Sequence, residues 1–536
     1  MATTNPDYIV IGAGSAGSVL ANRLSRDHTV TVIEAGPIDH RWDFRLHMPA
    51  ALSHVLSGDR YNWFYHSEPE QALNNRQIYC PRGRVLGGSS SINGMIYVRG
   101  HPQDFDNWAT QPGLENWRFQ DCLPYFKKAE SFYGGDPQFR GQDGPLYISR
   151  SALSNPLFNT WLTAGSEAGF SQTADFNGEQ QEGFGEFDRT IKAGCRFSAA
   201  RAYLHPIRHR ANLVLVTTAH ASRIIFEGSV AVGVEYRVNN GRLATIRANR
   251  EVILCGGAIN SPQLLMLSGI GNAGDLTKLG IDVHCDLPGV GQNLQDHLET
   301  YVQFSCQKPV SIYPALKWYN QLKIGLQWTA LSTGPGATNH FEAGAFLKSD
   351  TSKTYPDLQC HFLPVAMNYD GKQTYQGHGF QVHVGPMRPT SRGFIKLRSS
   401  DPTAPPLICF NYNTTPEDQR VMQRGIELVR EVIEQPSFNE FRGREIRPGV
   451  ATVNLDEFVR QHAESAYHPS CSCKMGTGPL AVVDQHARVH GVSGLRVIDA
   501  SIMPDITNGN LNAPVIMMAE KLADAILDRN PMTVSH

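Results

Sequence analysis

The sequence has no run of about 18 or more apolar residues, so nothing in it reads as a spanning helix. It has little charge imbalance: 48 Lys and Arg stand against 50 Asp and Glu over 536 residues. That balance gives no general reason to expect nucleic acid as a partner. The opening residues carry neither the basic flank nor the apolar core of an export signal, nor an Arg-rich presequence. The expected location is cytoplasmic, and peripheral association with the inner face of the membrane is compatible with it. Ten cysteines are scattered without finger-like spacing. The close pair Cys471 and Cys473 follows His468, but no second Cys/His cluster accompanies it, so no metal is expected. No repeat, low-complexity tract or coiled-coil pattern is present, and the missing GxSxG elbow disfavours a serine hydrolase. An apolar share of 41% with 18% charged residues describes a folded chain rather than a disordered one.

What is abundant is glycine, with 49 residues, and histidine, with 20. The β-rich run Tyr8-Ile-Val-Ile11 leads into Gly12-Ala13-Gly14-Ser15-Ala16-Gly17, then a segment with apolar residues at helical spacing. A second strand-like run, Val30–Ile33, ends at Glu34, about 20 residues beyond the turn. This is a dinucleotide-binding βαβ unit. Gly12 permits the tight turn, Gly14 lets backbone approach a pyrophosphate, and Gly17 lets helix and strand pack closely. The helix N-terminus offers free N–H groups to phosphate, and the Glu34 carboxylate can accept ribose hydroxyls while repelling a 2′-phosphate. A second small-residue loop, Leu86-Gly87-Gly88-Ser-Ser-Ser-Ile92-Asn93-Gly94, suits backbone lying against a flat or charged ligand.

Further along, Asn212–Val216 and Ser222–Phe226 read as a strand pair, and Glu251–Cys255 as another buried strand. Ser261-Pro262 reads as the N-cap and first residue of a helix. Residues from about 300 to 455 mix aromatics, histidines and alternating strands, such as Gly379–Val384 and Gly393–Arg398. The tail returns to strand, turn and helix: 494–499, the Asn508–Pro514 turn, and a helix from Val515 to Leu527. The expected class is α/β with α+β: a Rossmann-like cofactor domain from 1–150, 195–300 and 456–536. A sheet-rich substrate domain would come from 151–194 and 301–455.

Taken together, GAGSAG with Glu34, LGGSSSIN (86–93), GAINSPQLLMLSGIG (257–271), LPGVGQNLQDH (287–297), YHPSCSCKMG (467–476) and GLRVIDASIMP…NGNLNAP (494–514) resemble the glucose–methanol–choline oxidoreductases. The resemblance spans nearly the whole chain in the family's motif order. Within that family the chain is most similar to the choline-oxidising dehydrogenases, through stretches such as GATNHFEAGAF and HFLPVAMNYDG.

The resemblance implies FAD as cofactor. Ile92 stands where relatives that bind FAD covalently carry a histidine, so the FAD is expected to be non-covalent. The cofactor contacts implied are Gly12, Gly14, Ser15, Ala16, Gly17, Glu34, Ala35, Gly87, Gly88, Asn93, Gly94, Asp499 and Ala500. His468 falls at the catalytic histidine position and is expected to accept the alcohol proton, a task that suits histidine because the ordinary imidazole pKa lies near neutrality. Asn510 falls at the second catalytic position; as an amide it can orient the substrate but not act as base, with Asn512 as the alternative. A quaternary ammonium calls for a carboxylate and aromatic faces, here Glu342, Tyr467 and Trp63. The implied reaction is oxidation of a primary alcohol, choline to betaine aldehyde, with a neutral aliphatic or aromatic alcohol as the alternative. The acceptor would be a quinone or an artificial dye. A nicotinamide dehydrogenase would leave the second Gly-rich loop and the C-terminal closure without a purpose. A flavin protein without turnover is disfavoured by the intact His468 and Asn510.

Overall fold

A computed structural model describes residues 5–238, 241–368, 375–449 and 454–532. The buried run Tyr8–Ile11 is the central strand of a five-stranded sheet. Across the sheet the order is Leu213–Val216, Val30–Ile33, Tyr8–Ile11, Glu251–Leu254 and Leu495–Val497, all parallel. Continuously buried β-branched and apolar runs such as YIVI and VTVI suit strands covered on both faces. The helix Ser15–Leu24 covers one face, and the C-terminal helix Asn512–Ile526 lies against it. The two helices are joined by the buried pair Arg23–Glu520, 2.6 Å apart.

Two local readings are corrected. The run at 212–216 does not pair with 222–226. Thr218 takes φ +54° and donates its N–H to the Gly36 carbonyl, turning the chain away from a hairpin. Leu213–Val216 therefore joins the parallel sheet, while Ala219–Glu227 pairs with Val230–Val238. The helix expected from Pro262 instead starts at Gly257 and runs to Leu267. A proline inside a helix leaves a carbonyl one turn earlier without its N–H partner. Here Ser472 donates its hydroxyl to the Ala258 carbonyl at 2.5 Å and fills that vacancy.

The second large sheet is antiparallel. Its order is Arg442–Arg447, Leu298–Cys306, Gly379–Pro386, Leu358–Leu363, Ala343–Leu347 and Gly183–Glu186, with Glu464–Ser465 pairing at Leu298 and Glu299. Successive side chains alternate between faces. Phe304, Phe362 and Phe380 stack on one side together with Phe438. Gln381 and His383, one and three positions beyond Phe380, therefore point to the opposite face, with Glu299, Gln303 and His361 from neighbouring strands. One face is thus hydrocarbon core and the other polar. The domain limits expected at 300 and 456 cut across this pairing: Leu298–Cys306 begins before the first, and Glu464–Ser465 follows the second.

Candidate active site

One cavity of about 470 Å³ runs from the carboxyl ends of the parallel strands, at Ile11, Ile33 and Leu254, to the polar face of the antiparallel sheet. Ligands of open α/β sheets bind at that end of the strands.

At the strand end, the two Gly-rich loops close on each other. A Cβ on Gly17 would stand 1.9 Å from the Gly12 carbonyl oxygen, and one on Gly88 would stand 2.7 Å from Gly14 Cα. Gly88 also takes φ +52°. Gly87 donates its N–H to the Ala13 carbonyl at 2.8 Å. The helix beginning at Ser15 has no side-chain cap, and Ser15 and Ala16 line the cavity, so orphan N–H groups are available there. Glu34 is buried and accepts the N–H of Ala13 and of Gly36, each at 2.8 Å. Burial raises its pKa to about 7. A carboxylate has about four acceptor positions, so Glu34 keeps capacity for a ligand. Ala35, Asn93, Asp499 and Ala500 also line the cavity. Asp499 accepts the Ser261 hydroxyl at 2.6 Å and the Gly257 N–H at 2.9 Å, tying the last strand to the 257–267 helix.

At the sheet end, His468 is held between two partners. Its Nδ1 lies 3.0 Å from His297 Nδ1, and its Nε2 lies 3.1 Å from Asn510 Nδ2. The proton positions follow from the ends of the chain. His297 Nε2 faces the Met387 carbonyl at 3.0 Å, which can only accept, so the His297 proton sits on Nε2. His297 Nδ1 is then an acceptor, and His468 must donate to it from Nδ1. From the other side, Gln359 donates to Asn510 Oδ1 at 3.2 Å, leaving Asn510 Nδ2 to donate to His468 Nε2. His468 is therefore neutral with its lone pair on Nε2, beside Asn510. Burial, with His297 and His361 nearby, holds its pKa well below the ordinary value. The turn that carries it is anchored by Asp296, which accepts the His468 N–H at 2.7 Å and the Ser465 hydroxyl at 2.5 Å. Tyr467 takes φ +67°, a conformation rare for an aromatic residue, and its carbonyl accepts from Arg82 at 2.5 Å.

The structure brings His468, Asn510 and Tyr467 to this cavity. Of three other candidates, two line the cavity away from His468 and one does not line it. Asn512 lines the nucleotide end, accepting the Ser15 hydroxyl at 2.7 Å, and does not meet His468. Trp63 lines the cavity, but its ring lies against Tyr65, His220 and the Arg84 guanidinium, next to the Glu34 strand rather than beside His468. Glu342 does not reach the cavity. It is buried behind it, accepting the Thr338 hydroxyl at 2.7 Å and lying 3.5 Å from Arg189.

The carboxylate that lines the sheet end of the cavity is Glu299, only 4% exposed. It accepts from His383 Nδ1 at 3.0 Å, while its other oxygen is 3.9 Å from His361 Nδ1. Gln381 donates to His383 Nε2 at 2.6 Å and so keeps the His383 proton on Nδ1. The Phe341 ring lies beside both histidines. His297 and Glu299 stand two residues apart where the chain becomes extended, so both face the same side. That His-x-Glu spacing was the readable signal for both.

Models of two GMC oxidoreductase regions match residues 6–299 and 389–519. The chain belongs to the GMC oxidoreductases. It is 55% identical to an oxygen-dependent choline dehydrogenase of Burkholderia multivorans, covering 99% of this chain and 95% of that one. The corresponding protein of Pseudomonas savastanoi pv. phaseolicola is also 55% identical, over 98% of this chain and 94% of the relative. Among solved structures, pyridoxine 4-oxidase from Mesorbium loti superposes with a TM-score of 0.89 at 30% identity, covering 98% of this chain and 100% of that one. A formate oxidase variant of Aspergillus oryzae gives 0.92 at 25% identity, with 98% and 99% covered.

As a GMC oxidoreductase the protein is an FAD-dependent alcohol-oxidising enzyme, and the residues present fit that cofactor. A Cβ at Gly12, Gly17 or Gly88 would strike neighbouring backbone, whereas one at Gly14, which lines the cavity, would meet nothing nearer than 3.9 Å. Gly94 and Gly257 differ: both line the cavity, and a Cβ on either would meet no protein atom within 4 Å. Bare backbone facing open space is what a flat ring system needs. Ile92, buried against the same cavity, has a hydrocarbon side chain that cannot bond to a flavin, in keeping with non-covalent FAD.

Proposed function

We propose that this enzyme oxidises choline to betaine aldehyde, with His468 as proton acceptor. The observation that carries the reading is the buried Glu299 carboxylate on the wall that also holds Phe341, in the cavity that Tyr467 and His468 line. A trimethylammonium group has no N–H to donate and is recognised by charge and by aromatic faces. Glu299 supplies the charge; Phe341 and Tyr467 supply the faces. FAD, when bound, supplies the acceptor for the hydride leaving the alcohol carbon.

The chain's own residues handle the proton. The substrate hydroxyl displaces Asn510 Nδ2 from the Nε2 lone pair of His468 and passes its proton there, while the freed Asn510 N–H donates to the substrate oxygen and orients it. The imidazolium formed keeps its Nδ1–H bond to His297, which offsets part of the cost of charging a buried ring. The low pKa of His468 keeps the ring neutral, ready to receive the proton, until substrate arrives.

A quinone suits the apolar side chains that line the cavity between residues 49–56 and 312–316, and a peripheral membrane position suits that acceptor. All ten cysteines are unpaired, consistent with a reducing cytoplasm. Among the described residues no helix is long and apolar enough to cross a membrane. The test is anaerobic mixing of the FAD-loaded protein with choline. Bleaching of the flavin band is expected, and re-oxidation by quinone faster than by oxygen. Bleaching by a neutral alcohol but not by choline would overturn the substrate; faster re-oxidation by oxygen would overturn the acceptor.

A further inference from the structure

The helix Trp318–Leu331 is built inside out on one side. Its inner face is anchored by Trp328, buried, whose indole N–H donates to the Gly194 carbonyl at 2.8 Å. Its outer face should be polar if water were its only neighbour. Instead Trp318, Leu322 and Leu326 stand four residues apart in a row, 72%, 59% and 72% exposed. Tyr319, at 49% exposed, widens the row. Contiguous exposed apolar surface of this kind marks an interaction site.

We propose that this outer face docks the enzyme on an anionic lipid bilayer, placing the mouth of the active-site cavity at the lipid surface. The proposal deepens the quinone reading above and rests on it for its purpose. Three observations choose the occupant. From Glu299 to Glu342 the chain has no intervening acidic residue; Lys308 is paired with Glu440, which leaves Lys317 at the start of the helix and Lys323 within it. An apolar helix face with lysines beside it suits anionic headgroups. A second copy is disfavoured, because a two-fold contact would bring the same lysines onto themselves. The helix also adjoins the mouth: Leu316 and Ile312, just before it, line the cavity. So do the exposed Ala50 and Ser53, in a segment that packs against Pro335–Ala337 just beyond the helix. An apolar acceptor leaving the bilayer would enter the cavity without crossing water.

The test is flotation of the FAD-loaded full-length protein with phosphatidylcholine vesicles, with and without phosphatidylglycerol. Wild type is expected to float with the anionic vesicles and weakly with the neutral ones. Leu322→Ser combined with Leu326→Ser is expected to lower vesicle partition about tenfold or more. Lys317→Gln with Lys323→Gln is expected to remove the preference for phosphatidylglycerol. Dye-linked choline turnover should be unchanged in both, which shows that they fold. No flotation of wild type, or flotation of the leucine pair equal to wild type, would overturn the proposal. So would a change confined to the sizing-column mass of the leucine pair, which would assign the face to a second copy. If flotation behaves as expected but choline is not oxidised, the docking face stands and the substrate reading falls.

Discussion

The Nδ1 atoms of His297 and His468 lie 3.0 Å apart and share one proton, which His468 supplies because the Met387 carbonyl claims the proton of His297 at the other nitrogen. A backbone carbonyl thus sets the tautomer of the proposed base two residues away along a hydrogen-bonded chain. His297 is a positioning residue. His297→Leu removes the acceptor and is expected to lower kcat about 10–100-fold with little change in KM for choline. His297→Asn can offer its Oδ1 near the old Nδ1 position and should recover most of the loss. Steady-state kinetics of both variants, separated into kcat and KM, check this; equal losses in the two would mean that His297 acts only through packing.

Glu299 and Glu342 make opposite predictions. Glu299→Gln should raise KM for choline by about 30–100-fold, the order expected when a buried charge contact is lost. For the neutral isostere with a tert-butyl group, the change should be no more than a few-fold. Glu342→Gln should leave KM for choline within about twofold but lower stability by roughly 1–3 kcal/mol, because Arg189 loses its buried partner. Kinetics with the two alcohols, beside denaturant melts, separate recognition from structure.

Gly17 and Gly94 test the cofactor cradle in different ways. Gly17→Ala sets a methyl 1.9 Å from the Gly12 carbonyl and should cost about 1–3 kcal/mol or more of stability, with FAD lost alongside. Gly94→Ala meets no protein atom, so the apoprotein should keep its Tm. Its FAD affinity should fall, because the methyl enters the ligand's space. Thermal melts of apoprotein and fluorescence titration with FAD give the two readouts.

The pH dependence of stability can be traced to His297 by difference. Burial pushes its pKa down to about 3 in the folded protein, against about 6.5 unfolded. Below pH about 6.5 the unfolded chain binds a proton that the folded chain refuses. Stability from this group is therefore present above that pH and is lost as pH falls. Wild type should lose about 1.4 kcal/mol per pH unit relative to His297→Asn between pH about 6 and 4. Urea melts of the two proteins at three pH values measure this, and a constant difference would assign the low pKa elsewhere.

Much of the fold was legible because it is local. The spacing of Gly12, Gly14 and Gly17 between a strand and a helix states its own purpose, since each glycine answers to atoms a few residues away or on the adjoining strand. His468 and Asn510 were readable only through motif resemblance, yet they do meet. The place of the 212–216 strand is not legible in the sequence because its partner, Val30–Ile33, lies far back in the chain, and no local pattern names a distant partner.

By itself the sequence determined the cofactor turn, the alternation that gives the antiparallel sheet one polar face, and which residue types could move a proton. Only the tertiary structure decided which member of each like pair reaches the sheet end of the cavity or His468. Glu299 rather than Glu342 faces the cavity because pleating aims alternate side chains of its strand inward, whereas Glu342 is turned into a buried ion pair with Arg189. Asn510 rather than Asn512 meets His468, since two residues of turn carry the second amide back to Ser15. Periodicity tells which residues share a face; which face looks into the cavity depends on strand pairing across hundreds of residues, where closure of the whole chain sets the answer.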